Sequence, residues 1–253
     1  MTDPRILRPL GSGNLVLFCD HASNFVPLEL DDLGLPPAEL RRHIAWDIGA
    51  AGVTEVLSEI FDAPAVLCNT SRLVVDCNRH LDAPGLIPET SDGTVIPGNL
   101  QLGTAARAAR IERYFHPYHA AIESVLSERE ARGVESIAIS IHSMTPSLAG
   151  VPRLCQISLS SHLDRRLTDP MLAALRARGD IEVGDNQPYD LDPGFDYSVP
   201  SHALRRGLRH LQIEIRQDEI LHTAAERWWA ERVAQSLKHA IYSRLPHQFP
   251  LHR

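Results

Sequence analysis

Two apolar runs of this chain each lead to a histidine, and they constrain the fold more than any other feature. The run at 15–19 leads through Asp20 to His21, and the run at 137–141 leads directly to His142. Short continuous apolar runs are typical of strands that are buried in a parallel sheet. The carboxyl edge of such a sheet is where α/β proteins hold ligands. The two runs therefore predict an enzyme with a site at this edge, and a metal ion as the first candidate for what the imidazoles bind.

Strand and helix patterns alternate along the whole chain. The predicted strands cover residues 14–19, 65–68, 73–75, 136–142, 154–159, 181–183 and 210–215. The predicted helices cover residues 36–43, 47–61, 104–132 and 170–178, a short segment that opens at Ser201, and residues 219–242. Residues 81–102 and 185–200 have no clean period and are predicted as long loops. Because we find no repeat or linker, we expect one α/β domain over residues 1–253 with a mostly parallel sheet.

Charge and composition argue against several classes of partner. The chain has 32 acidic and 25 basic residues and a net charge of -7, which disfavours nucleic acid and anionic membranes. No apolar run approaches the ~20 residues that span a bilayer, and the first residues lack the core of a signal peptide. We therefore expect a cytoplasmic protein. The four cysteines include no Cys-x-x-Cys pair, so we expect buried thiols rather than a zinc cluster.

Three residues are candidates for binding a zinc ion. A catalytic zinc site needs three protein ligands and an open position for water. The chain has 13 histidines, so only a histidine with a positional argument counts, and His21 and His142 have one. Asp47 opens the helix after the first strand and is the preferred third ligand, although an Asp there is also a common helix cap. Asp20 and Asn24 are the alternatives for the third position.

Glu214 is the candidate general base. In the strand at 210–215, alternation sends Gln212, Glu214 and Arg216 to one face and the isoleucines to the other. A carboxylate near the end of a buried strand is costly unless it is paired or takes part in chemistry. Accepting a proton from a metal-activated water fits this position. The alternative is an ion pair between Glu214 and Arg216.

Arg72 and Arg79 bracket an apolar segment that also contains Asp76. A guanidinium group holds a carboxylate through two parallel hydrogen bonds, so both arginines are candidates for substrate binding. The alternative is that they are solvated at the surface and that Asp76 orients an arginine. The chain has no Gly-x-Ser-x-Gly elbow, phosphate loop or dinucleotide fingerprint, so the sequence gives no support to a serine hydrolase or a nucleotide enzyme.

Taken in order, these motifs resemble the N-formylglutamate amidohydrolase family. The resemblance rests on five stretches: Asp20-His21-Ala22-Ser23-Asn24 with Pro27, Trp46-Asp47-Ile48-Gly49-Ala50, Ser71-Arg72 with Asp76-Cys77-Asn78-Arg79, Ser140-Ile141-His142-Ser143, and Glu214-Ile215-Arg216. More distantly, the chain is similar to zinc carboxypeptidases and to zinc N-acetylmuramoyl-alanine amidases. Each stretch alone is weak evidence, but five in order are specific.

The resemblance implies a three-layer α/β/α fold of the phosphorylase/hydrolase type and a zinc-dependent amide hydrolase. By position, His21 and His142 match the histidine ligands, Asp47 matches the carboxylate ligand of the amidases, and Glu214 matches the general base. Arg72 resembles the arginine that stabilises the oxyanion. Asn78 and Arg79 resemble the pair with which carboxypeptidases hold a substrate carboxylate. Carboxypeptidases have a glutamate ligand where this chain has Asn24, which is why Asp47 is preferred.

The expected reaction is hydrolysis of N-formylglutamate to formate and glutamate, as in amino-acid degradation. Arg79, helped by Arg153 or Arg216, is expected to hold the glutamate carboxylates. The loop at 185–200, which contains Tyr197, is expected to close over the substrate. The only partner expected is a small N-acyl amino acid, and the chain is expected to be a monomer or a small homo-oligomer. The alternatives are a zinc peptidase or muramoyl-type amidase, and a ligand-binding relative without catalysis.

Overall fold

The structure is a computed structural model in which residues 2–148 and 150–242 are described. The strands are β1 Arg5–Leu7, β2 Leu15–Cys19, β3 Ala65–Leu67, β4 Thr90–Ser91, β5 Thr94–Val95, β6 Ile137–Met144, β7 Ser147–Leu148, β8 Val151–Pro152, β9 Ile157–Ser160, β10 Val183–Asp185 and β11 His210–Arg216. The helices are α1 Pro37–Leu40, α2 Ala50–Phe61, α3 Thr104–Arg110, α4 His116–Ala131, α5 Thr168–Arg176, α6 Ser198–His202 and α7 Thr223–Tyr242. Residues 243–253 lie outside the described part, so a single domain over 1–253 stays a prediction.

Seven strands form one central sheet in the order β1-β3-β2-β6-β11-β9-β10. The neighbours β3-β2, β2-β6, β6-β11 and β9-β10 are parallel, whereas β1-β3 and β11-β9 are antiparallel. The sheet is therefore mixed and mostly parallel with helices around it, which confirms the predicted α/β class. No helix in the described residues is long and apolar enough to cross a membrane.

One face of the sheet is apolar along its whole length. Alternate residues of the central strands point to this face, and they pack against α2, α5 and α7 in one buried cluster. The strand residues in this cluster are Leu15, Leu17, Cys19, Ala65, Leu67, Ile137, Ile139, Ile141, Ile157, Leu159, Leu211, Ile213 and Ile215. Because burying one such aliphatic side chain stabilises a fold by about 1.5–3 kcal/mol, this layer fixes the sheet and its register.

The opposite face changes character from one end to the other. Towards the amino ends of β2 and β6 it carries Val16 and Ala138, followed in β2 by Phe18, and these side chains pack against the apolar side of α4. Towards the carboxyl ends of β6 and β11, and on the antiparallel neighbour β9, it carries polar side chains, namely Ser140, His142, Ser158, Ser160, Gln212 and Glu214, and all of them are buried. Such burial is costly without hydrogen bonds or a function. The site predicted from the strand ends therefore lies on this face.

Some predicted elements differ from the structure. Leu73, Val74 and Val75 form a buried turn rather than a strand, because Val74 N–H donates to the Ser71 carbonyl and the side chains join the core directly. The predicted strand at 154–159 begins only at Ile157, and the one at 181–183 shifts to 183–185. The short helix begins at Ser198 rather than Ser201, and the last helix at Thr223 rather than residue 219. The apolar content of a segment predicts that it is buried, but it does not determine which backbone hydrogen bonds the segment makes, so the bounds of these elements differ.

The long helix predicted at 104–132 is interrupted by a π-helical turn at Ile111–Phe115. Pro117 stands in the first turn of α4, immediately after this interruption. Because proline lacks an N–H and its ring crowds the preceding turn, a regular α-helix cannot run through this position without a local change of pitch.

Candidate active site

His21, Asp47 and His142 converge at the carboxyl edge of the sheet. His21 follows β2, His142 lies in β6, and Asp47 precedes α2. Asp47 Oδ2 lies 2.9 Å from His142 Nδ1 and 3.3 Å from His21 Nδ1. The three residues are 2%, 5% and 3% exposed in chain order, so their polar atoms are almost fully removed from water. Together they form a group that could hold a metal ion, with one ligand atom from each residue and all such atoms within 4.8 Å of one another.

The backbone before α2 positions Asp47. Its N–H donates to the carbonyl of His21 at 2.9 Å, which ties this segment to the end of β2. Gly49 has a φ of 80°, and a Cβ there would lie 2.3 Å from the carbonyl oxygen of Ile220. Only glycine fits this turn, and the turn directs the Asp47 side chain towards the sheet edge.

The second ring nitrogen of each histidine is held by another carboxylate. His21 Nε2 lies 2.7 Å from Asp76 Oδ1, and His142 Nε2 lies 3.1 Å from Asp20 Oδ2. Tyr118 Oη donates to Asp20 Oδ1 at 2.8 Å and fixes that carboxylate in turn. Metal-binding histidines usually have this support, which sets the tautomer and aims the other nitrogen at the metal.

This supporting pair is what sequence reasoning missed. Asp20 was an alternative ligand in the sequence analysis, but in the structure it lies on the side of His142 that faces away from Asp47. Asp76 was expected only to orient an arginine. It does pair with Arg72, through Nη2 at 2.7 Å, and it also supports His21. Asp20 lies next to His21 in the sequence but supports His142 on the neighbouring strand, so no local signal could have assigned this role.

The electrostatics of the cluster favour a bound cation. Burial lowers the pKa of His142, but hydrogen bonds to Asp20 and Asp47 outweigh it and raise the pKa well above its ordinary value. Burial and Arg72 lower the pKa of His21. The carboxylates of Asp76 and Asp47 outweigh both, and the pKa of His21 is therefore raised too. Burial opposes ionisation of Asp47, yet the two imidazoles hold its pKa far below the usual range.

These pKa directions mean that the cluster retains protons which a cation would replace. Two imidazole nitrogens and one carboxylate oxygen are the donor set of many catalytic zinc sites. The other nitrogen of each imidazole is already supported by a carboxylate. The residues present therefore fit a zinc ion.

Glu214 lies opposite His142 in the register of β11 against β6. Burial raises the pKa of Glu214 to about 7, with His142 lowering it and Asp47 raising it further. Gln212 Nε2 lies 3.4 Å from Glu214 Oε1. A carboxyl group that titrates near neutrality can both accept and return a proton. In the described residues Arg216 forms ion pairs with Asp218 and Glu219 and not with Glu214.

A cavity of about 360 Å³ opens over the cluster. Its lining includes the cluster, Glu214, three arginines and part of the loop before α6. The predicted site residues in this lining are His21, Asp47, Arg72, Asn78, Arg79, His142, Arg153 and Glu214. The structure thus brings most of the candidate residues to one space.

Three candidates lie elsewhere, and Asn78 has another contact. Asn24 Nδ2 donates to the Leu40 carbonyl, and neither Tyr197 nor Arg216 is part of the cavity lining. Asn78 Oδ1 accepts hydrogen bonds from the N–H groups of Tyr197 and residue 198, and its Nδ2 donates to Asp196. Asn78 therefore fastens the loop at 185–197 to the site.

Fold and site together define an α/β protein with a buried group that could hold a metal ion, and comparison with known proteins specifies the family. The model of the N-formylglutamate amidohydrolase family matches residues 13–221, so the chain belongs to this family, as the resemblance predicted. The family implies a hydrolase that acts on amides. A search of curated proteins found no match.

Two solved structures are similar over almost the whole chain. A gene product of Agrobacterium tumefaciens is 34% identical, with a TM-score of 0.92 and 95% of each chain covered. An N-formylglutamate amidohydrolase of Ralstonia eutropha is 22% identical, with a TM-score of 0.74, covering 96% of this chain and 98% of that one. The second likeness concerns the fold alone.

Proposed function

We propose that this protein is a zinc-dependent hydrolase that cleaves the amide bond of an N-acyl amino acid, with an N-formyl group as the expected acyl group. The observation that carries the proposal is the buried cluster of two carboxylate-supported histidines and Asp47, next to a glutamate whose pKa is about 7. N-formylglutamate, the substrate named by the family, is the reference compound.

His21, Asp47 and His142 would hold the zinc ion. When bound, zinc supplies Lewis-acid polarisation of the amide carbonyl and activation of water. Asp20 and Asp76 keep both Nδ1 atoms directed at the ligand position, since each carboxylate holds the opposite ring nitrogen. Asn24 is left out of this ligand set because its side chain bonds to the backbone of residue 40.

Glu214 would carry the proton. It accepts a proton from the attacking water and later returns one to the leaving amine, because its pKa of about 7 allows both directions at neutral pH. Arg72 is a quarter exposed at the cavity. Burial lowers the pKa of its guanidinium group, but the carboxylates of Asp76 and Asp47 outweigh burial and raise that pKa, so the group stays charged. Its guanidinium group supplies positive charge where the amide oxygen becomes an oxyanion.

The cavity supports a small-molecule substrate. Its volume of about 360 Å³ falls within the range of pockets that enclose small ligands. The location in the cytoplasm and a monomeric or small oligomeric state stay predictions from the sequence.

Activity of the purified full chain before and after metal removal tests this proposal. We expect one zinc ion per chain, hydrolysis of N-formyl amino acids with release of formate, loss of turnover after chelation and recovery when zinc is added back. The exposed His116, which pairs with Glu112 away from the site, provides the control variant His116→Gln. Unchanged turnover by the metal-free chain would refute the proposal.

A further inference from the structure

Three arginines border the cavity, and they differ in whether a carboxylate neutralises them. Arg72 is paired with Asp76 and with Asp47. Arg79 Nη1 lies 3.7 Å from Asp196 Oδ1, and its guanidinium carbon lies 3.7 Å from the centre of the Phe195 ring. The charges of both arginines are therefore balanced within the protein.

Arg153 is different. In the described part of the chain no carboxylate lies within the 4.0 Å of an ion pair with its guanidinium group. Its Nη1 donates to the Thr145 carbonyl at 3.3 Å and its Nη2 to Tyr189 Oη at 2.7 Å. Its Nε is buried with no hydrogen-bond partner. Since a guanidinium group has five N–H donors, Arg153 keeps unused donors as well as an unbalanced charge.

The rest of the lining disfavours a second anionic group. Asp190, Asp192 and Asp196 border the cavity from the loop before α6. Asp196 accepts hydrogen bonds from Asn78 Nδ2 at 3.0 Å and from Asp192 N–H at 3.1 Å, in addition to its pairing with Arg79. A carboxylate brought close to these groups would meet like charge, which costs binding energy.

The same lining offers contacts for an uncharged group. Met144, Leu148 and Phe195 all border the cavity. The rest of the lining is polar or charged, so these three side chains provide the apolar contacts that a neutral substituent would make. A neutral side chain would thus be accommodated at no electrostatic cost.

We propose that the substrate carries a single carboxylate, held by Arg153, and an uncharged amino-acid side chain. This inference rests on the proposed hydrolysis of N-acyl amino acids and specifies which of them. Arg153 would bind the α-carboxylate through its free N–H donors. Asp196 would act as a specificity-determining residue, because it cancels the cation that a second carboxylate would need.

An isosteric pair of compounds tests the proposal directly. N-formylglutamine and N-formylglutamate differ only in the charge of the side chain, so their relative kcat/KM on the zinc-loaded full chain isolates that charge. We expect kcat/KM to be at least about tenfold higher for N-formylglutamine. Equal values, or a preference for N-formylglutamate, would overturn the inference.

Two variants separate the roles of the arginines. Arg153→Gln should lower kcat/KM for N-formylglutamine by about 100-fold, because a bound carboxylate loses its charged partner. The same substitution should lower kcat/KM for the α-carboxamide of N-formylglutamine far less. Arg113→Gln, whose guanidinium pairs with Glu29 at the surface, is the matched control and should change neither. Equal losses on the acid and the carboxamide would contradict the role of Arg153.

Asp196→Asn should shift the preference towards N-formylglutamate by about tenfold, since it frees Arg79 while keeping a hydrogen-bond acceptor for Asn78. An unchanged ratio in a folded variant would contradict the specificity role.

Binding measurements distinguish failure of this inference from failure of the proposed function. If the zinc-loaded chain hydrolyses no N-acyl amino acid, the proposed function fails. Calorimetry on zinc-loaded Glu214→Gln protein then still compares the two compounds without turnover. Tighter binding of N-formylglutamine supports the inference, and equal or weaker binding overturns it.

Discussion

The molecule buries two pairs of histidines, and in both pairs the ring centres are 5.2 Å apart. His21 and His142 are surrounded by the carboxylates of Asp20, Asp47 and Asp76. His119 and His202 instead contact each other, with Nδ1 of the first 2.9 Å from Nε2 of the second. The carboxylate within ion-pair distance of this pair is that of the exposed Glu123, whose Oε2 lies 3.5 Å from His202 Nδ1. The pairs share residue type, spacing and burial, so their difference lies in the charged groups around them.

The pKa values move in opposite directions. Carboxylates overcome burial and raise the pKa values of His21 and His142. Burial and the neighbouring His202 lower the pKa of His119 to about 3, and burial lowers that of His202 as well. The second pair is therefore neutral and structural, and links α4 to α6. Buried carboxylates, rather than histidines alone, distinguish a ligand pair from a core pair.

The largest expected effect is the difference between two variants, each of which lacks one histidine from a different pair. His142→Ala deletes a ligand, and we expect the variant to lose its zinc and at least about 1000-fold in kcat/KM, since activation of water depends on the metal. His119→Gln should retain one zinc ion per chain. Metal analysis and N-formyl amino acid turnover provide the readouts. Zinc loss in a folded His119→Gln variant, or retention in His142→Ala, would show that the comparison is wrong.

Glu214→Gln tests the group that faces the first pair. Replacing the carboxylate by an amide of the same shape should reduce kcat by about 100- to 10000-fold, the range for loss of a general base. The zinc content should stay at that of the wild type, because Glu214 is not in the ligand set. Turnover at the wild-type rate would rule out this residue as the base.

Removing the supporting carboxylates should have a smaller effect. We expect Asp76→Asn and Asp20→Asn each to weaken zinc binding by about 10- to 100-fold, as losses of such supporting groups do in other metal sites. Competition with a chelator gives the affinity. Asp218→Asn, which removes a surface partner of Arg216, is the control and should bind zinc normally. An unchanged zinc affinity in both variants would refute the positioning role.

The smallest effect concerns stability at acid pH. His119 has a folded pKa of about 3 and an ordinary value of 6.5, so the unfolded chain binds more protons between these pH values. The free energy of unfolding therefore falls as the pH drops below 6.5, with a slope of up to about 1.4 kcal/mol per pH unit for one proton. His119→Gln should flatten that decline in urea unfolding of the metal-free chain. A decline as steep as that of the wild type would contradict a neutral buried His119.

The comparison also explains what the sequence could predict. Apolar runs that end in histidine identified β2 and β6, and the parallel pairing of β6 with β11 places Glu214 beside His142. These inferences depend on local pattern and on a general rule about sheet edges. The helix predicted from Asp47 begins at Ala50, so the pattern located Asp47 to within three residues of the start of α2.

Other features depend on contacts between distant parts of the chain. The apolar segment at 73–75 had the composition of a strand but forms a turn, because its hydrogen bonds are local. Asp76 supports His21 and Asp196 neutralises Arg79 only through the folding of loops over the sheet. No local pattern carries that information.

The central claim is that the metal binds at the pair with carboxylates. An anomalous difference map at the zinc absorption edge, from crystals of the zinc-loaded chain, tests it most directly. We predict one strong peak, bound by Nδ1 of His21, Nδ1 of His142 and a carboxylate oxygen of Asp47. A peak between His119 and His202, or no peak at the first pair, would contradict the account.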